Sequence, residues 1–329
     1  MNGGKFRIGI LAVSVVFALF VVCAEGAEKR NYELKLEKGK KYYFRMLTEQ
    51  EISQTVMGQE QSMEQVIGMG MELDVNEVDA NGAMWIDYKY GWAKFGHKGP
   101  MGEQVYDSSK KDSPVPPTAQ GFVALLGEGF SLRMMPKGKV KAVRGLKRMR
   151  ENISKKLPAG PMREFMMKGL EQYFNEAAVK ELNESSMAMY PDKPVGVGDS
   201  WSRKVVLSQG FAMVLENKWT LKERRNGVAL IEVSSTVKPN RKAKPLEMGL
   251  MKISYEFTGT QKGLVEIKES TGQVIRSKIN QELSGLTRTE VLSGGAKPQT
   301  VTTPMKIKGI VTMEMGDWTK DVWLYKKKD

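Results

Sequence analysis

Met251-Lys252-Ile253-Ser254-Tyr255-Glu256-Phe257 decides the fold class. Apolar side chains occupy every second position, with polar ones between them. A period of two places the two sets on opposite faces of a β-strand, one packed and one in water. The pattern returns across the chain. Met305, Ile307, Val311, Met313 and Met315 oppose Lys306, Lys308, Thr312 and Glu314. Met71, Leu73 and Val75 form another run, and Met84, Ile86, Tyr88 and Tyr90 another. Turn residues separate the runs at Asp79-Ala80-Asn81-Gly82, Lys137-Gly138, Asn226-Gly227 and Thr271-Gly272. Gly and Asn reach positive φ cheaply, which closes hairpins and makes their strands antiparallel. The fold class read from this is mainly β, a large antiparallel curved sheet.

One stretch changes period. Between Gly145 and Ser186 the spacing is helical. Pro161 suits a first helical turn, and Met162, Phe165, Met166, Leu170, Tyr173 and Phe174 form a stripe. A shorter helix is expected between Gly145 and Lys155 and another around Ala177 to Leu182. The expected plan is a single β-rich domain over 25–329, with strands over 31–144, a mid-chain α-helical insert over 145–190 and strands over 195–325. Loops are expected at Lys98 to Gln120, Lys238 to Pro245 and Gly294 to Pro304. The flanks of the insert resemble each other, which fits either a distant duplication or ordinary meander self-similarity.

The start of the chain reads as an export signal over 1–24. Lys5 and Arg7 precede an apolar run from Ile8 to Val22, followed by the small residues around Ala24 and Gly26. Cleavage fits after either residue. Cys23 directly follows the apolar run, so the alternative is a lipoprotein anchored through Cys23, and an uncleaved anchor is a third reading. The expected location is the periplasm or the cell exterior.

Composition narrows the chemistry. The 329 residues hold a single His and a single Cys, which excludes His-based metal clusters, zinc ribbons and a disulfide framework. No cofactor is called for. His97 falls in an expected loop, and Asp74, Asp79, Asp192 and Asp199 in turns, where carboxylates accept backbone N–H bonds. The 22 methionines fill cores or line pliable apolar pockets. On the second reading Met134, Met162, Phe165, Met166 and Leu170 are the candidate contacts to an apolar ligand.

The formal net charge is +13. Between residues 137 and 156 nine basic residues face the single acid Glu151. Lys137, Lys139, Lys141, Arg144, Lys147, Arg148 and Arg150 are the candidate contacts to an anionic surface. Lys238, Arg241, Lys242 and Lys244 form a second group. An export signal argues against nucleic acid as a partner and for an anionic membrane surface.

Tyr190-Pro191-Asp192-Lys193-Pro194-Val195-Gly196-Val197-Gly198-Asp199-Ser200-Trp201 resembles an element of a family of uncharacterised exported bacterial β proteins. Glu77 to Gly82, Val105 to Ser109 and Phe130 to Gly145 resemble others, in the same order. The family brings no activity and no catalytic residues. Its plan is similar to the LolA/LppX-like lipoprotein carriers, which implies a half-barrel sheltering an apolar cavity under helices. The expected function is non-catalytic binding or carriage of an apolar or amphipathic ligand such as a lipid at a membrane surface. The alternatives are a structural or interaction protein of the envelope, or a hydrolase with converging carboxylates. Nothing in the composition specifies an oligomeric state.

Overall fold

The computed structural model describes residues 28–56, 58–100, 102–209, 212–248, 250–291 and 299–316. The expected export signal, Cys23, and the end of the chain with Trp318 and Trp323 lie outside the described residues.

The first half of the chain forms β1 (Lys41–Val56), β2 (Gln59–Val78), β3 (Met84–Gly99), β4 (Gly102–Asp107), α1 (Gln120–Leu125), β5 (Gly129–Met134) and β6 (Val140–Arg144). The insert follows as α2 (Leu146–Lys156), α3 (Pro161–Tyr173) and α4 (Glu176–Ser186). The second half forms β7 (Ser200–Leu207), β8 (Met213–Arg225), β9 (Val228–Pro239), β10 (Leu246–Met248), β11 (Met251–Lys268), β12 (Val274–Val291) and β13 (Gln299–Met315). All thirteen strands join one antiparallel curved open sheet. Its main path runs β6-β5-β3-β2-β1-β13-β12-β11-β9-β8-β7, with β4 beside β3 and β10 beside β11. The first long strand therefore pairs with the last, from Phe44 opposite Met315 to Gln54 opposite Met305. The two halves are traversed in opposite order across the sheet.

Turn chemistry fixes the hairpins as expected. Asn226 (φ 52°) and Gly227 (φ 74°) both sit at positive φ, as a two-residue hairpin with the right twist requires. Asp79 accepts the N–H groups of Asn81 and Ala83 at 2.9 and 3.0 Å and pairs with Arg133 at 2.7 Å. Asp199 accepts the N–H of Gly196 at 3.0 Å. These are turn roles.

One end of the sheet is plugged. Val75, Ile86, Leu132, Leu221, Ile231 and Ile267 are completely buried there. In α2, Leu146, Met149 and Ile153 form the buried stripe at helical spacing. Residues 28–36 cross this end as a strap. Leu34 donates to Pro136 O and Lys35 to Thr271 O, at 2.9 and 2.7 Å, so the strap ties turns from both halves. Its anchor is Glu269, whose side chain is 8% exposed. Glu269 accepts from Tyr32 Oη at 2.9 Å and from Arg224 Nε at 2.5 Å. Burial and the Glu269 bond push the Tyr32 phenol up to about 12. Tyr32, Leu34 and Leu36 alternate like a strand, yet only Arg30 makes a bridge, to Val195. The expected strand start at residue 31 is therefore a tether.

The two edge strands β6 and β7 do not pair with each other. Helix α4 bridges the seam. Glu184 accepts the N–H of Val140 at 2.9 Å, and Glu181 accepts those of Ser208 and Gln209 at 2.5 and 3.1 Å. Free edge N–H groups are sites for unwanted strand addition, and carboxylates occupy them here.

Three sequence expectations change. The stretch from Lys98 to Gln120 contains β4, because Pro100 lies in the turn before it and Pro114, Pro116 and Pro117 lie beyond Asp107. His97 is in β3, opposite Gln65 and Gln104, not in a loop. Gln299 to Pro304 belongs to β13. Pro304 sits opposite Leu286 of β12, one residue beyond the last β1 partner Met305, where β13 is paired on one side only.

Candidate functional site on the concave face

The register assigns every residue of the long strands to a face. The helix-facing side carries even positions of β1 and odd positions of β2, β8, β9, β11, β12 and β13. Bulky residues on this side sit over glycines of the next strand. Phe257 lies opposite Gly285, Leu283 opposite Gly259, and Ile279 opposite Gly263. A Cβ at Gly259, Gly263 or Gly285 would come within 2.0 Å of a neighbouring carbonyl oxygen. Such close backbone approach lets the sheet bend toward this side, and only glycine allows it.

Two apolar tiers line the concave face, with an amide tier between them. In the tier next to the plug, Met46 is opposite both Met69 and Met313, and Phe44 is opposite both Met71 and Met315. All six are partly exposed, Met46 most at 39%, while Phe44, Met69 and Met71 also pack on the main core. Among them Met69 touches the small cluster of Ala93, Phe95 and Phe122 under α1. The middle tier runs along one register level through Gln65, Gln50, Gly309, Gln281, Gln261, Ser235, Asn217 and Arg203. Gln50 donates to Gln65 and Gln261 to Gln281, each at 3.4 Å. The far tier is a buried cluster of Val237, Phe257 and Leu283, flanked by Met213, Leu215, Tyr255, Met305 and Ile307.

The expected ligand contacts fall in different places. Met134 is completely buried in the plug. Phe165, Met166 and Leu170 lie on α3 and are partly exposed; Met166 and Leu170 also pack on the main core. Met162 is in α3, but its side chain lies outside the described residues. The methionines of the accessible strip come from the strands instead. Alternation alone could have named them, but their exposure depends on which strands the helices leave uncovered.

The basic segment is not one uniform surface. Lys137 donates to Asp192 O at 3.0 Å, and Arg150 to Phe174 O at 2.6 Å. Arg144 stacks over the Trp85 ring, 4.1 Å from its centre. Lys147 lies 4.0 Å from Glu151. Lys139, Lys141 and Arg148 are exposed. Lys139 and Lys141 flank or occupy edge strand β6, where lysine discourages strand addition.

Among the described residues no three His, Cys, Asp or Glu side chains are grouped as metal ligands, and no helix is long and apolar enough to cross a membrane. Asp79 is held below the ordinary carboxylate range by Arg133 and by the Ala83 N–H. Asp199 is held low by the Gly196 N–H and by Lys29. Both shifts arise in turns, away from the concave face.

The chain matches the model of a protein family described as "Family of unknown function (DUF6263)" over residues 81–274. No curated protein matches it. A solved structure entitled "Lipid-protein interactions in lipovitellin" is similar over 86% of this chain, with 8% identity and a TM-score of 0.44. The chain spans only 26% of that protein. An outer-membrane channel of Pseudomonas putida F1 aligns with 88% of this chain and 99% of its own, at 7% identity and a TM-score of 0.22. The OccK2 (OpdF) protein of Pseudomonas aeruginosa, solved with glucuronate, aligns with 89% of this chain and 68% of its own, at 6% identity and a TM-score of 0.17.

Proposed function

The chain belongs to this family of unknown function, DUF6263, and from the geometry of its concave face we propose that it binds or carries an apolar or amphipathic ligand there without catalysing a reaction. The observation that carries the reading is the row Met46, Met69 and Met313 beside the row Phe44, Met71 and Met315. Solvent-accessible apolar surface is costly to maintain, and a contiguous patch inside a curved sheet marks a binding surface. Methionine adapts its shape at low cost, which suits chains of varying length and saturation. The curved sheet with its mid-chain helices is also the plan expected from the lipoprotein-carrier half-barrels. The export signal and the exposed Lys139, Lys141 and Arg148 support action at an anionic membrane surface in the cell envelope.

Titration of the mature protein with N-phenyl-1-naphthylamine tests the concave face. The wild type is expected to enhance the dye's fluorescence saturably. Met46→Glu places a charge in the accessible strip and should weaken binding at least about tenfold, the cost of bringing apolar matter against an unpaired charge. Val206→Glu, on the opposite face and 46% exposed, should leave binding unchanged. Absence of saturable binding, or equal binding by both variants, refutes the reading.

A further inference from the structure

The loop joining β9 to β10 is short, basic and well anchored. Asn240 donates to Leu207 O at 3.0 Å and accepts the N–H of Lys242 at 3.2 Å, which holds the loop against the end of β7. Arg241, Lys242 and Lys244 stand exposed on it. Lys238 is paired with Glu216 at 2.8 Å. Arg241, Lys242 and Lys244 make no ion pair among the described residues.

Between this loop and β11 lies a depression of about 270 Å³, walled by Asn240, Arg241 and Lys244 on one side and by Ile253, Tyr255 and Glu256 on the other. Glu256 is matched by Arg288 at 3.9 Å, so it leaves the charge of the loop largely uncancelled. Tyr255 stacks on Phe257, with ring centres 6.3 Å apart, and Phe257 packs with Val237 and Leu283. The cationic depression therefore shares Tyr255 with the far apolar tier.

We propose that this depression takes the phosphate-bearing head of an anionic amphipath, whose chain lies over the partly exposed Tyr255, Met213 and Leu215 that cap the buried Phe257 and Leu283. The Arg241 guanidinium and the Lys244 ammonium present several donors at once, which a phosphate with its multiple oxygens satisfies better than a carboxylate. The inference rests on the concave face being a ligand surface and adds the class of head group.

Calorimetry with the mature protein separates the two claims. The ligands are lysophosphatidylglycerol, zwitterionic lysophosphatidylcholine and glycerol 1-phosphate, all below any micelle threshold. At roughly fivefold per neutralised cation, the wild type should prefer the anionic lysolipid by about thirtyfold, and salt should erode that preference. Arg241→Gln/Lys244→Gln should abolish the preference and leave lysophosphatidylcholine binding intact. A wild type indifferent to head-group charge, or a double variant that keeps the preference, overturns the assignment. Glycerol 1-phosphate binding as tightly as the anionic lysolipid overturns it in favour of a free-phosphate site. If neither lysolipid binds, the concave-face reading itself fails.

Discussion

Replacing both seam carboxylates, Glu181→Ala/Glu184→Ala, should loosen the protein along one line. Glu184 occupies the N–H of Val140 on β6, and Glu181 those of Ser208 and Gln209 beyond β7. Leaving a partly buried donor unsatisfied costs about 1–3 kcal/mol. Water reaches some of these groups, so roughly 3 kcal/mol for the pair is the reasonable expectation rather than the full sum. At about 2–4 °C per kcal/mol for a chain of this size, the melting midpoint should fall by about 6–12 °C. Edge strands freed of their cover should also recruit one another, raising the mass seen by light scattering at high concentration. Alanine preserves helix α4, so lost helicity does not explain the effect. Glutamine keeps an acceptor oxygen, so Glu181→Gln/Glu184→Gln should recover about half of the loss. Glu176→Gln, which removes only an exposed pair with Lys180, should cost no more than about 0.5 kcal/mol. A double alanine variant that melts within 1 °C of the wild type and keeps its mass would refute the latch.

Three more outcomes follow from the geometry. Gly259→Ala forces a Cβ to within 2.0 Å of Glu282 O and should cost more than about 3 kcal/mol in urea denaturation. Gly309→Ala, whose nearest atom is 2.8 Å away, should cost less, and the reverse order would discredit the account of curvature. Glu269→Ala removes the acceptor of the Tyr32 hydroxyl and of Arg224 Nε, though Arg224 keeps its bond to Glu28 O, and should cost about 2–3 kcal/mol, with early proteolysis of the strap; a strap that stays protected contradicts its anchoring role. Asp79 and Asp199 have folded-state values below the unfolded one, so their contribution is complete above the unfolded value and lost as acid protonates the folded carboxylates. Asp79→Asn should therefore flatten the dependence of melting midpoint on pH below about 4, and an unchanged acid limb would count against it.

Much of this architecture was legible along the chain. The alternation at 251–257 lies inside β11 and that at 305–315 inside β13, and Pro161 opens α3. Local period and turn chemistry suffice for such elements. The strap was not legible, because the alternation of Tyr32, Leu34 and Leu36 is equally that of a strand. What distinguishes them is the pairing of Leu34 and Lys35 with turns far along the chain. The placement of the candidate contacts was not legible for a similar reason. Methionines on α3 and on β1 look alike in sequence, and only the path of the helices over the sheet leaves Met46 accessible while Met134 is sealed. Nor could the basic run show that Arg144 is engaged with Trp85 and Arg150 with the Phe174 carbonyl.

The pairing of the first long strand with the last has a bearing on when this protein becomes a protein. Thr312 reaches the Leu47 carbonyl across 265 residues of chain. Contacts this remote form late, because loop closure must precede any reward. Until β13 is available, β1 and β12 present long open edges toward each other, and the accessible methionines have no finished trough to line. Folding is thus withheld until β13 arrives, and a chain cut short before it should be left with two adhesive edges rather than a smaller finished sheet.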